Sequence, residues 1–163
     1  MSNDDGIKIE DYETPGPESK NYKDVNDLPD DTKSMLLDVG IETTEEKAQG
    51  LYVQRDNSHD LCVSKVSDIE IMPIQDAFDK YDGTDGKMDL KEYLWKAVPK
   101  DKDKYTLETS KQEITQGYFI YAKKGAKSIF PMQSCLFIEL PGIKQVVHNI
   151  IIAEEGAQLD IIT

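Results

Sequence analysis

Two cysteines and two histidines are the side chains of this 163-residue chain best suited to metal or nucleophilic chemistry. Cys62 follows His59 by three residues at the start of a β-prone run, and one such pair supplies at most half of a metal site. Cys135 lies inside Met132-Gln133-Ser134-Cys135-Leu136-Phe137-Ile138, an apolar strand-like run where a structural thiol is the default. His148 sits between Val147 and Asn149, and reads as a strand histidine hydrogen-bonded to its neighbours. Cys135 and His148 are thus the metal candidates and the pair an enzyme would need, but nothing in the sequence places an activating partner beside either. No Ser–His–acid arrangement and no glycine-rich loop leading into a helix is present, so no catalytic or cofactor-binding residue is assigned.

A third constellation is the stretch from Asp82 to Glu92 between two helix-like patterns. Gly86, Met88 and Glu92 fit the glycine, apolar and terminal acidic positions of a calcium-binding helix-loop-helix. In that register, however, Tyr81 and Gly83 fall where carboxylate ligands belong, and a plain Asp/Gly turn is the favoured reading. A small acidic module binding calcium or another protein through this loop is the alternative function from a different class.

Charge narrows the partners. Nineteen basic against 32 acidic residues give a formal charge of −13, which repels nucleic acid and anionic membrane surfaces. Residues 1–31 carry ten acids and three lysines, whereas residues 105–163 carry six acids and five lysines. The N-terminus is acidic where a secretion signal is basic and then apolar, and no apolar run reaches bilayer length. Two cysteines 73 positions apart make no disulfide framework, so the expected location is the cytoplasm, with reduced thiols.

The elements that must position these residues follow from periodicity. Residues 1–24 are polar and acidic around Pro15-Gly16-Pro17, and a flexible tail is expected. Residues 25–104 are expected to be mostly helical. Asp27-Leu28-Pro29-Asp30-Asp31 opens a helix with Met35, Leu36 and Val39 on one face and Gly40 at its end. Short strands fall at Leu51–Val63 around an Arg55–Asp60 loop, and another at Ile69–Met72. Ile74, Ala77, Phe78 and Tyr81 mark an amphipathic helix; Leu90, Tyr93, Leu94 and Ala97 mark a further one, stopped by Pro99. Lys100 to Lys104 alternates charge as a solvated connector.

Residues 105–163 are β-rich and carry a repeat. Phe119-Ile120-Tyr121-Ala122-Lys123-Lys124-Gly125-Ala126 and Ile150-Ile151-Ile152-Ala153-Glu154-Glu155-Gly156-Ala157 share Ile, Ala, Gly and Ala at a constant offset of 31 residues. Each is a strand–turn–strand unit of the kind that stacks on copies of itself. Around it, Gln116-Gly117-Tyr118-Phe119-Ile120, Pro131–Leu136 and Val147–Ala157 closely resemble the SufB/SufD family of iron–sulfur cluster assembly scaffolds, archaeal type. Ile69–Ala77 and Tyr93–Val98 resemble its N-terminal region.

The resemblance implies an α+β N-terminal region, mostly helical, followed by the first rungs of a right-handed parallel β-helix, an incomplete solenoid. It also implies a non-enzymatic scaffold subunit that pairs with a second SufB/SufD-like subunit and with a SufC-type ABC ATPase. The iron–sulfur cluster then belongs to the full family complex rather than to this stretch. Family members continue past Ile161-Ile162-Thr163 into many more rungs, so a truncated or fragmentary member is the expectation. Asp160 stands where archaeal relatives often carry histidine. The family's cluster-assembly and ATPase-binding residues lie beyond Thr163, so none transfers to a position here.

Overall fold

A computed structural model describes residues 8–16, 18–86 and 88–163. Among the described residues, seven strands form two sheets, flanked by three short α-helices. In the larger sheet, β1 (Gly50–Arg55) pairs antiparallel with β2 (Ser58–Ser64) and parallel with β5 (Met132–Phe137). That strand in turn pairs parallel with β7 (Ile161–Ile162). The second sheet runs from β3 (Ile69–Pro73), antiparallel to β4 (Tyr118–Ala122), to β6 (Ile150–Ala153), parallel to β4.

The β1–β2 hairpin forms as the apolar runs Leu51-Tyr52-Val53 and Leu61-Cys62-Val63 pair across a tight turn, Asp56-Asn57. Asp56 adopts the left-handed conformation (φ 53°) that Asp tolerates better than most residues. Its carboxylate accepts from the backbone N–H groups of Glu139 (2.7 Å) and Leu140 (3.3 Å), tying the turn to the end of β5.

Alternation along β1 divides the interior. Leu51 and Val53 enter one cluster with Val25, Leu28, Leu36 and Ile41, on the side covered by α1 (Asp30–Asp38). Tyr52 enters a second cluster with Ile69, Ile71, Ile120 and Met132 between the two sheets. A third cluster joins α2 (Ile74–Lys80) to Leu90, Phe119 and Ile150. Tyr52, Gln54 and Asp56 form a buried polar chain: the Tyr52 hydroxyl donates to Gln54 Oε1 (2.8 Å), whose amide donates to the Asp56 carbonyl (3.1 Å).

Several sequence expectations are corrected. A right-handed parallel β-helix is not seen; both sheets are mixed, each with an antiparallel strand from residues 50–73. Nor is the N-terminal region mostly helical, because those alternating runs pair with downstream strands and override the helical segments around them. The helix expected over Leu90–Val98 shrinks to a 3-10 turn, Leu90–Tyr93. An unexpected helix, α3 (Lys104–Thr109), grows from the charged connector, opened by a capping box between Asp103 and Thr106. On α1, Leu36 is fully buried but Val39 is 61% exposed, so the expected apolar face is narrower than its composition suggests.

The repeat at offset 31 is visible as pairing. Ile120 faces Ile151 and Ala122 faces Ala153 in parallel register. Gly125 N–H donates to the Glu155 carbonyl (3.1 Å), and both turn glycines are left-handed (φ 72° and 76°). Two stacked copies within mixed sheets do not make a solenoid.

Of the segment expected as a flexible tail, residues 1–7 and Pro17 lie outside the described residues. Residues 18–22 run along β2, where Lys20 N–H donates to Asp60 Oδ1 (3.2 Å) and Tyr22 N–H to the Asp60 carbonyl (2.8 Å).

Leu36 tests the packing. Leu36→Ala should lower unfolding free energy by about 2–5 kcal/mol in urea denaturation, the range for a fully buried leucine. Leu37→Ala, on the exposed side of the same helix, should cost well under ~1 kcal/mol.

Candidate functional site

The candidate side chains occupy separate settings. Cys62 lies opposite Tyr52 and packs with the cluster between the sheets. Its thiol is 3.5 Å from the Ile71 carbonyl, to which it donates, and burial, with Asp76 nearby, pushes it up to about 12. His59 lines the same shallow groove of about 260 Å³, alongside Asp76. Cys135 lies opposite Val53, packs in the cluster under α1, and its thiol is also raised by burial. Tyr52 and Val53 are successive strand residues, so the two thiols point to opposite faces of the sheet. They cannot share a metal ion, and neither is held as a thiolate.

The Asp82–Glu92 loop closes on itself. Asp82 and Asp89 form an antiparallel bridge, and Thr84–Gly86 is a 3-10 turn. Asp82 Oδ1 accepts from the Thr84 backbone N–H (3.0 Å) and hydroxyl (2.7 Å), and Asp89 Oδ1 accepts from Lys91 N–H (3.0 Å). These are turn and capping bonds. Among the described residues no group of three His, Cys, Asp or Glu side chains is placed to hold a metal ion.

His148 is where several elements converge. Leu90, fully buried, anchors the 3-10 turn after Asp89. The chain then reverses at Trp95, whose left-handed backbone (φ 60°) is strained by roughly 1–2 kcal/mol for a residue with a Cβ. That reversal brings the indole edge-on to His148, with ring centroids 4.8 Å apart at 82°.

From the other side, His148 N–H donates to the Gln116 carbonyl (3.0 Å), and Asn149 Oδ1 accepts from Tyr118 N–H (3.1 Å). Gly117, at φ 116°, is required between them, because a Cβ there would collide with the His148 carbonyl and lie 2.8 Å from Asn149 Oδ1.

Trp95, His148 and Asn149, together with Tyr93, Lys96 and Tyr105, line an open groove of about 370 Å³. Lys96 Nζ stands 4.8 Å from the Tyr93 ring centroid. Burial lowers the His148 pKa below its usual value, so the imidazole is neutral at pH 7. Aromatic edges, a neutral imidazole and one lysine line this groove, and no carboxylate is among its lining residues. Cys135 is not part of it. Sequence reading missed this groove because Trp95 sits in an expected helix; an aromatic next to Lys96 and before Pro99 was the available signal.

The site is thus an open, largely aromatic groove on a small α/β domain with two mixed sheets. Comparison with known proteins gives relatives over part of their length. An iron–sulfur cluster assembly SufBD family protein of Methanothermobacter thermautotrophicus strain Delta H is 42% identical over 141 residues, 84% of this chain. A protein of strain Winter, also named for that family, is 40% identical over 141 residues. A SufBD family protein of Archaeoglobus fulgidus is 39% identical over 131 residues, 80% of this chain. The chain is a SufBD-family relative, and it spans about 33% of the length of each of these proteins. No protein-family model matches it. No helix among the described residues is long and apolar enough to cross a membrane.

The His148 environment gives a pH signature. A folded-state pKa below the unfolded value of 6.5 means that the unfolded chain binds more protons on the acid side. Stability should therefore fall as pH drops below about 6.5, before the carboxylates titrate. In an NMR titration the His148 ring should show a midpoint below 6.5, and Trp95→Ala, which admits water, should move it upward. An unchanged midpoint in that variant would remove the indole as the desolvating group.

Proposed function

We propose that this chain serves iron–sulfur cluster assembly as part of a SufB/SufD-like scaffold, holding other components in place without catalysing a reaction itself. The observation that carries this reading is the 39–42% identity to three archaeal SufBD family proteins over at least 80% of the chain. Its proposed partners are a second SufB/SufD-like subunit and a SufC-type ABC ATPase. The cluster is the system's cargo and is assigned to no residue of this chain. Cys62 and Cys135 sit on opposite faces of one sheet with protonated thiols, which does not suit cluster ligation. Unpaired thiols suit a reducing cytoplasm.

The chain's contribution is then architectural. Its strands present paired backbone, and the Trp95–His148 groove presents an aromatic surface.

Exchange of matching segments tests the reading. The matching segment of this chain, substituted for the corresponding third of an archaeal SufBD protein, should give a folded chimera that still supports cluster delivery to an apo-ferredoxin. Cys62→Ala together with Cys135→Ala in that chimera should leave the delivery rate within about twofold, once folding is verified by circular dichroism. A folded chimera that delivers no cluster would overturn the assignment.

A further inference from the structure

Residues 8–16 make contacts that the scaffold reading leaves unused. Ile9–Asp11 forms a 3-10 turn, and Glu13 pairs in parallel with Ile143 as an isolated bridge. Glu13 N–H donates to the Gly142 carbonyl (3.0 Å), and Lys144 N–H donates to the Glu13 carbonyl (2.9 Å). The Lys144 ammonium donates to the Ile9 carbonyl (3.3 Å). Ile9 and Tyr12 thereby line an open groove of about 430 Å³ with Ile138, Ile143, Val146 and Tyr105 of α3. The groove stays partly open with this segment in it, since Ile138 is 52% and Tyr12 39% exposed.

We infer that residues 8–14 are an exchangeable strap, and that the groove beneath them is a peptide-binding site whose partner in trans is the strap of a second copy of this chain. The docked segment itself defines what the groove accepts: a short acidic stretch, one 3-10 turn running into extended backbone, with Ile9 and Tyr12 three residues apart, held by backbone pairing and by Lys144. A second copy carries the identical stretch, so each of these contacts can be remade between molecules without a new interface.

The anchorage is light, one bridge and one lysine, which places the strap among the parts of a fold that open first. It leaves the body through Thr14-Pro15-Gly16, and Gly16 has nothing within 4 Å of where a Cβ would stand. The short tether gives the strap a high effective concentration at its own groove. The closed monomer therefore dominates when dilute, and exchange rises with protein concentration.

Site-directed crosslinking tests this. A Glu13→Cys chain and an Ile143→Cys chain are mixed under mild oxidation, and linked peptides are read by mass spectrometry. Intermolecular 13–143 links should increase with concentration and exceed by at least tenfold those from a control pair, Glu13→Cys with Lys127→Cys. Equal yields from the two pairs would overturn the proposal.

Glu13→Pro provides an independent reading should Ile143→Cys fold poorly. It removes the N–H that donates to Gly142, and Tyr12 is already extended (φ −115°, ψ 133°), as a residue before proline must be. The Lys144 amide should then exchange at least tenfold faster while β1 amides are unchanged. A labelled peptide of residues 8–14 should bind this variant at least tenfold more tightly than the parent chain. A peptide that discriminates between neither would contradict a peptide-binding groove.

Discussion

The strand Gly50–Arg55 is the constraint from which the rest of the molecule follows. It is hydrogen-bonded on both edges, antiparallel to β2 and parallel to β5, so its backbone is satisfied within the sheet. Its side chains alternate between two separate apolar clusters, and Leu51, Tyr52, Val53 and Gln54 are all essentially inaccessible to solvent. A shift of one residue in its register would exchange the contents of both clusters.

This arrangement decides what the reactive side chains can do. Cys62 and Cys135 flank the same strand but are handed to opposite faces by successive residues, Tyr52 and Val53. What looks in sequence like a small reserve of metal ligands is divided by the sheet and kept protonated by burial. His148 is removed to a third setting, where Trp95 and the Gly117–Asn149 clamp hold it neutral against an aromatic groove. The fold spends its polar groups on joining segments: Asp56 on Glu139 and Leu140, Gln133 on Glu42, Asn149 on Tyr118. Such a molecule suits a structural part in an assembly.

Local pattern was readable where one element decided its own structure. Ile69–Met72 ends at Pro73, and the helix from Ile74 follows the i, i+3, i+4 spacing of its apolar residues. The offset of 31 between Ile120 and Ile151 foretold their pairing, because copies with the same turn stack in register. The global expectation failed for a nonlocal reason: nothing within residues 50–73 announces that β1 and β3 will be recruited into sheets with strands some 50 to 80 positions downstream. The helix expected through Trp95 failed locally, since buried Leu90 and the contact with His148 favour a reversal over continued helical bonding. The separation of the thiols was legible only in part: each apolar run could be seen, but the face each presents depends on its register with β1.

The division of the interior by β1 is tested most directly by oxidising the folded monomer under mild conditions and measuring its intact mass. With Cys62 and Cys135 on opposite faces, both thiols should remain free while the circular dichroism spectrum stays native. Loss of two hydrogens through an internal disulfide in a chain that keeps its native spectrum would contradict the assignment of faces, and with it the register on which both cores depend.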